Sequence, residues 1–288
     1  MKNWKWMRVM ALCALGTVVF ASCDNDDDDR VMVPDAVTSA FAHQYSAAGY
    51  VEWDMEPGGY YVAEFRNNGR DHEAWYTSAG VWTMTEVDYG RSLQSLPQTV
   101  QDGYAASRYA ADGWTVDDID EIQRPAYETI YRIEIEKRGE VDRDLYFDLG
   151  GTLYRDEQDG QGNTGNSGMV GTQLPQSVKS YVDSMFVGAT VVDFDIEANG
   201  MMEVDLRHNG VSKEVMFDRN QNWVMTKTDC TRNVPAAVAE AVRNEMPGAR
   251  IDDCNYVETP SGNYYIVETD NPDRDFKVTA DGTVSPLY

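Results

Sequence analysis

Three histidines are the only side chains of this 288-residue chain whose ordinary pKa suits a general base at neutral pH, and none sits in a catalytic pattern. His43 falls two residues beyond Phe41 on a segment of helical periodicity, which turns it to solvent. His72 and His208 flank the turn-forming pairs Asn68-Gly69 and Asn209-Gly210, where a polar turn residue is expected. Nucleophilic catalysis needs a nucleophile, a base and an orienting group in reach of one another. No Gly-x-Ser-x-Gly, His-Glu-x-x-His or phosphate-cradling glycine loop occurs. Cys230 and Cys254 are the two cysteines beyond the N-terminal segment, and no Cys or His at ligand spacing accompanies them. They read either as a disulfide pair in an oxidising compartment or as two small buried apolar side chains. Asp218-Arg219-Asn220 and the run from Asp270 to Asp275 loosely resemble calcium loops but lack the ligand periodicity and the glycine. The expectation is a non-enzyme with no cofactor and no metal.

Acidic side chains outnumber basic ones by 49 to 24, giving a formal net charge of -25, so paired carboxylates carry no catalytic signal by themselves. That charge favours solubility and repels polyanions, which excludes nucleic acid as a partner.

Aromatic residues are more telling. Alternation along the strands turns Tyr76, Phe147 and Phe217 inward and their predecessors Trp75, Tyr146 and Met216 to the opposite face. Tyr60 and Tyr264 join that opposite face from neighbouring strands. A helix covers one face of a sheet, so the other presents large flat side chains among carboxylates. Two readings stay open. Those residues form a concave binding face for a protein or peptide, or they pack between repeats or domains.

The elements that position them are repeated. Val33-Pro34, Leu96-Pro97, Leu174-Pro175 and Val234-Pro235 each open the same phrase, with Val37, Val100, Val178 and Val238 three residues after the proline and Phe41, Tyr104, Val182 and Val242 seven after it. Proline is favoured in the first turn of a helix, and the two later positions share one helical face. Period-two segments follow each phrase, such as Tyr61-Ala63-Phe65 and Met202-Val204-Leu206. Trp82, Leu153, Trp223 and Val284 each lie six residues after Tyr76, Phe147, Phe217 and Val278, with turn residues between. A unit of one helix and four antiparallel strands, copied four times, accounts for both spacings. The class is α+β, and one such unit is too thin a core to stand alone, so two are expected per domain.

The ends carry targeting information. Lys2, Lys5 and Arg8 precede an apolar run that is short for a membrane span, and residues 1–22 read as a signal peptide. Val19-Phe20-Ala21-Ser22-Cys23 resembles a bacterial lipobox, which implies lipidation of Cys23. The acidic run from Asp24 to Asp29 makes residues 23–30 a solvated tether. It is similar to an acidic export tag, implying an outer membrane lipoprotein exposed at the surface, with a periplasm-facing anchor as the alternative. The lipid would be the whole membrane contact. Residues 158–171, Gly/Asn-rich and poor in apolar side chains, read as a linker. It separates a domain at 31–157, with repeats 31–92 and 93–157, from one at 172–288, with repeats 172–231 and 232–288.

The repeated helix-then-meander, the lipobox and the tether together resemble the PepSY-like family of bacterial secreted lipoproteins, related in fold to the β-lactamase inhibitor protein. The resemblance implies tandem helix-plus-four-strand units with one concave sheet face. It also implies binding without catalysis, with a protein or peptide of the cell envelope as partner. Alternatives are inhibition of a secreted hydrolase, such as a peptidase or β-lactamase, and glycan binding through exposed Trp and Tyr.

Overall fold

A computed structural model describes residues 31–158, 173–197, 199–270 and 272–287. Residues Met32–Tyr288 make one compact unit. The expected signal segment, Cys23 and the acidic tether lie outside the described residues. So does the expected linker, apart from Gln158, which ends a strand.

Helix α1 (Asp35–Gln44) is followed by β1 (Val51–Glu56), β2 (Tyr60–Asn67), β3 (Arg70–Tyr76) and β4 (Trp82–Asp88). Helix α2 (Gln98–Ala106) precedes β5 (Thr115–Gln123), β6 (Ile130–Glu136), β7 (Arg143–Phe147) and β8 (Leu153–Gln158). Helix α3 (Gln176–Met185) precedes β9 (Thr190–Ile196), β10 (Met202–His208), β11 (Val211–Phe217) and β12 (Trp223–Asp229). Helix α4 (Ala236–Glu245) precedes β13 (Arg250–Thr259), β14 (Gly262–Asp270), β15 (Arg274–Thr279) and β16 (Val284–Leu287). Strands β1 to β8 pair antiparallel in chain order as one sheet, and β9 to β16 as a second. Pairing of β4 with β5, and of β12 with β13, fuses the repeats two by two.

Each helix begins at its proline, which sits one residue ahead of the helix rather than in its first turn. Pro34, Pro97, Pro175 and Pro235 are extended N-cap residues. Their carbonyls accept the first helical N–H groups, those of Thr38, Gln101, Lys179 and Ala239, at 2.9–3.1 Å. Proline's fixed φ suits that position, and its missing N–H costs nothing there. The apolar pairs of the phrase are buried as spaced: Val37 with Phe41, Val100 with Tyr104, Val178 with Val182 and Val238 with Val242. The six-residue offset is a hairpin register. Tyr76 stands opposite Trp82, Phe147 opposite Leu153, Phe217 opposite Trp223 and Val278 opposite Val284. Asn68-Gly69 and Asn209-Gly210 both hold positive φ at their two central residues, the two-residue turn that matches strand twist.

Four cores result, each a helix packed on the inner face of its own meander. A fifth apolar cluster lies on the far face of the first sheet. Val62, Trp75, Met84, Ile122, Ile130 and Tyr146 pack there against Val192 of β9. The second sheet therefore covers one end of the first sheet's bare face. The β5–β6 turn clasps this joint. Arg124 donates to the Asp193 carboxylate at 2.7 Å and to the Val192 carbonyl at 2.6 Å, with both charged side chains almost wholly buried. Arg155 of β8 reaches Asp193 and Asp195 at 3.3 and 3.1 Å. The Glu128 N–H donates to the Val191 carbonyl, and its carboxylate accepts from Arg207.

Removing one partner of a buried ion pair strands the other charge. Arg124→Met is expected to lower unfolding stability in urea by about 3–5 kcal/mol. Adding Asp193→Leu is expected to recover part of that loss, read as positive coupling in a double-mutant cycle.

Candidate binding face

Trp75 and Tyr146 are not displayed to solvent. They are 8 % and 4 % exposed and belong to the cluster closed by Val192. Tyr60 lies at its edge, with its ring 6.2 Å from that of Trp75. The Arg155 guanidinium lies 5.5 Å from the ring of Tyr146. The expected exposure is thereby corrected for these two residues, and packing between the halves accounts for them. Alternation fixed which side of the sheet they take, but not that β9 lies across it. Met216 and Tyr264 are half-buried on the second sheet, outside this cluster, and the Lys277 ammonium stands 4.0 Å above the Tyr264 ring. The five residues thus form no single patch, and a glycan-stacking surface loses its one proposed tryptophan and one of its three tyrosines.

What the bare face does carry is charge. Glu52, Glu64, Glu73 and Glu86 stand directly opposite one another across β1, β2, β3 and β4. Side chains so paired lie about 4.5–5.5 Å apart at Cβ, and like charges there repel. Glu52 and Glu73 are exposed, Glu64 half-buried. Burial first, then a hydrogen bond with Asp54 and the charges of Glu73, Asp54 and Glu52, push the Glu64 carboxyl up to about 8. Arg132 of β6 meets the ladder's inner end, donating to Glu86 at 2.9 Å and to Asp120 at 2.7 Å.

The second sheet repeats the arrangement at the same offset from its proline. Asp193, Asp205, Glu214 and Lys227 form the corresponding row across β9 to β12. Lys227 donates to Glu214 at 2.6 Å. Burial, then the charges of Glu203, Asp193, Glu214 and Asp195, raise the Asp205 carboxyl well above the carboxylate range. Burial and Glu214 raise Glu203 to about 7. Asp205, Glu214 and Lys227 line a cavity of about 290 Å³ that Leu153 and Tyr154 of β8 complete from the other half.

His43 is exposed, while half-buried His72 lies tilted 5.1 Å from the Phe65 ring and His208 lies 5.8 Å from Phe186. The Asp218 carboxylate caps its own turn, accepting from the Asn220 and Asn222 N–H groups, and hydrogen bonds from Asn222 hold it below its ordinary range. Asp88, Asp118 and Asp120 bring carboxylate oxygens within 4.8 Å of one another, with Asp120 also engaged by Arg132.

Among proteins of known kind, the model of the PepSY-like family, described as beta-lactamase-inhibitor-like, matches residues 59–155 and 200–285, more than half of the chain. A solved DUF2874 family protein of Bacteroides ovatus is 29% identical with a TM-score of 0.42, over 44% of this chain and 89% of its own. A solved BLIP-like protein of Bacteroides fragilis is 27% identical with a TM-score of 0.43, over 53% of this chain and 99% of its own. No curated protein matches. Among the described residues no helix is long and apolar enough to cross a membrane.

Trp75→Ala is expected to cost about 3–5 kcal/mol of stability in chemical unfolding, as for a core aromatic. A second expectation concerns pH. A carboxyl whose folded pKa is raised binds its proton more tightly in the folded state, so its contribution is complete below the unfolded value near 4.5 and is lost as pH rises through about 8. The melting midpoint should fall across that window, and Glu64→Gln should raise it at pH 8.5 while leaving it unchanged at pH 4. Scanning calorimetry at both pH values checks this.

Proposed function

Because the chain belongs to the PepSY-like, beta-lactamase-inhibitor-like family, we propose that it is a non-catalytic binding protein of the cell envelope whose carboxylate-lined sheet faces receive a basic segment of a partner protein or peptide. The glutamate ladder across β1 to β4 carries this reading. Carboxyls placed opposite one another, with Glu64 kept protonated up to about pH 8 and Glu86 needing Arg132, weaken the fold, and a protein that keeps such a row trades stability for a task. A lysine- or arginine-bearing partner relieves the repulsion, so the strain becomes binding energy. The field of the same carboxylates draws cationic partners in and turns anionic ones away.

The finer location is part of this proposal. Cys23, in its lipobox-like setting, anchors the chain to the outer membrane, and the acidic run behind it favours exposure at the surface. Inhibition of a secreted hydrolase is the second reading, and the family's description favours it. The bound segment would then be a basic loop beside the enzyme's active site.

The binding reading is tested with immobilised chain and an array of lysine- and arginine-rich envelope peptides, against the same peptides with those residues neutralised. Glu73→Lys should weaken the best binders by about tenfold and flatten their salt dependence. Glu240→Lys, an equal charge change on the exposed side of α4, should leave binding unchanged. Equal losses in both variants would show bulk charge at work rather than a face.

A further inference from the structure

Cys230 and Cys254 serve neither the ladder nor the joint, yet they meet. Their sulfur atoms lie 2.9 Å apart as free thiols. The Cys230 N–H donates to the Cys254 carbonyl at 2.8 Å, so the main chains are held together independently of the sulfurs. Cys230 directly follows β12 and Cys254 lies within β13, the two strands through which the third repeat joins the fourth. Cys254 is wholly buried in the fourth core, whereas Cys230 is half-buried and open to a reagent.

The first sheet supplies an internal comparison. Its joint between β4 and β5 has the same main-chain bond, from the Tyr89 N–H to the Ile119 carbonyl at 2.8 Å. Asp88 stands opposite Asp120 in one sheet as Asp229 stands opposite Asn255 in the other. Tyr89 and Ile119 therefore occupy the places of Cys230 and Cys254. One joint is filled by two large side chains, and the other by two small ones whose sulfurs touch. Two small core residues would explain their types but not their mutual orientation.

We propose that Cys230 and Cys254 form a disulfide that staples the third repeat to the fourth. The half-buried Cys230 is the attacking thiol. The hydrogen bond shared with Cys254 lowers its pKa, while the same bond and burial raise that of Cys254. The oxidant is a small or protein disulfide. The Cys230 thiolate attacks one of its sulfurs, forming a mixed disulfide and expelling one thiolate. Cys254, losing its proton, then attacks the Cys230 sulfur, closing the bond and expelling the second. The chain gives up two electrons and two protons, and one oxidant disulfide becomes two thiols.

The test treats the folded, reduced full chain with oxidised glutathione and maps peptides without reduction, so that Cys13 and Cys23 are read separately. The wild type is expected to yield a Cys230–Cys254 linked peptide lighter by two hydrogens, with no glutathione retained. Cys254→Ser is expected to stop at glutathione on Cys230. The oxidised chain should melt about 5–10 °C above the reduced one, a difference absent from Cys230→Ser. Glutathione accumulating on wild-type Cys230, or both thiols staying unreacted in the folded chain, would overturn the pairing. The reaction is read in buffer, so it stands or falls separately from where the protein resides and what it binds.

Discussion

Arg124 and Asp193 meet where water is excluded, and the use of the whole bare sheet face follows from that contact. A one-helix-deep unit leaves half of each sheet without cover. The chain solves this at one end by laying β9 across the first sheet, where Val192 closes over Trp75 and Tyr146. Apolar burial alone would tolerate many orientations of the two halves. A buried guanidinium that must satisfy one carboxylate and one carbonyl tolerates few. Arg155 and Glu128 extend the same selection.

What remains outside the joint is the carboxylate ladder of the first sheet, whose counterpart on the second sheet runs into the joint at Asp193. The two rows are related by the repeat but have diverged at one end. Glu86 borrows Arg132 from the neighbouring repeat, while Lys227 stands in the row itself beside Glu214. The first row is therefore the more negative. Burial first, and the neighbouring carboxyls after it, make Glu64 give up its proton with difficulty.

Much of the fold was legible in the sequence. The proline phrase located all four helices, and the spacing from Tyr76 to Trp82 and its three copies was a hairpin register written in the chain. The candidate site was legible only in part. Alternation assigns Trp75 a side, but a side is not an environment, and contact with Val192 joins residues far apart in the chain through no local pattern. Glu64 and Glu73 could have been paired in advance, because a two-residue Asn68-Gly69 turn sets Asn67 opposite Arg70 and counts back to them. Extending the row to Glu52 and Glu86 requires two further registers, one of them shifted by an irregularity beside Tyr76. The meeting of Cys230 with Cys254 follows from the β12–β13 pairing, which sequence spacing does not reveal.

Neither sheet closes on itself, so β1 and β16 are two of the four border strands, with β8 and β9 the others, and carry unused main-chain hydrogen-bonding groups. Such borders invite a second molecule to anneal strand to strand. Here β1 alternates its apolar residues with Glu52, Asp54 and Glu56, and β16 is only four residues long and carries Pro286. A copy approaching β1 would set carboxylate against carboxylate, and one approaching β16 would find a missing donor. The charge read above as an attractor for basic partners thus also hinders neighbouring molecules from annealing edge to edge at β1, and high salt would weaken both effects together.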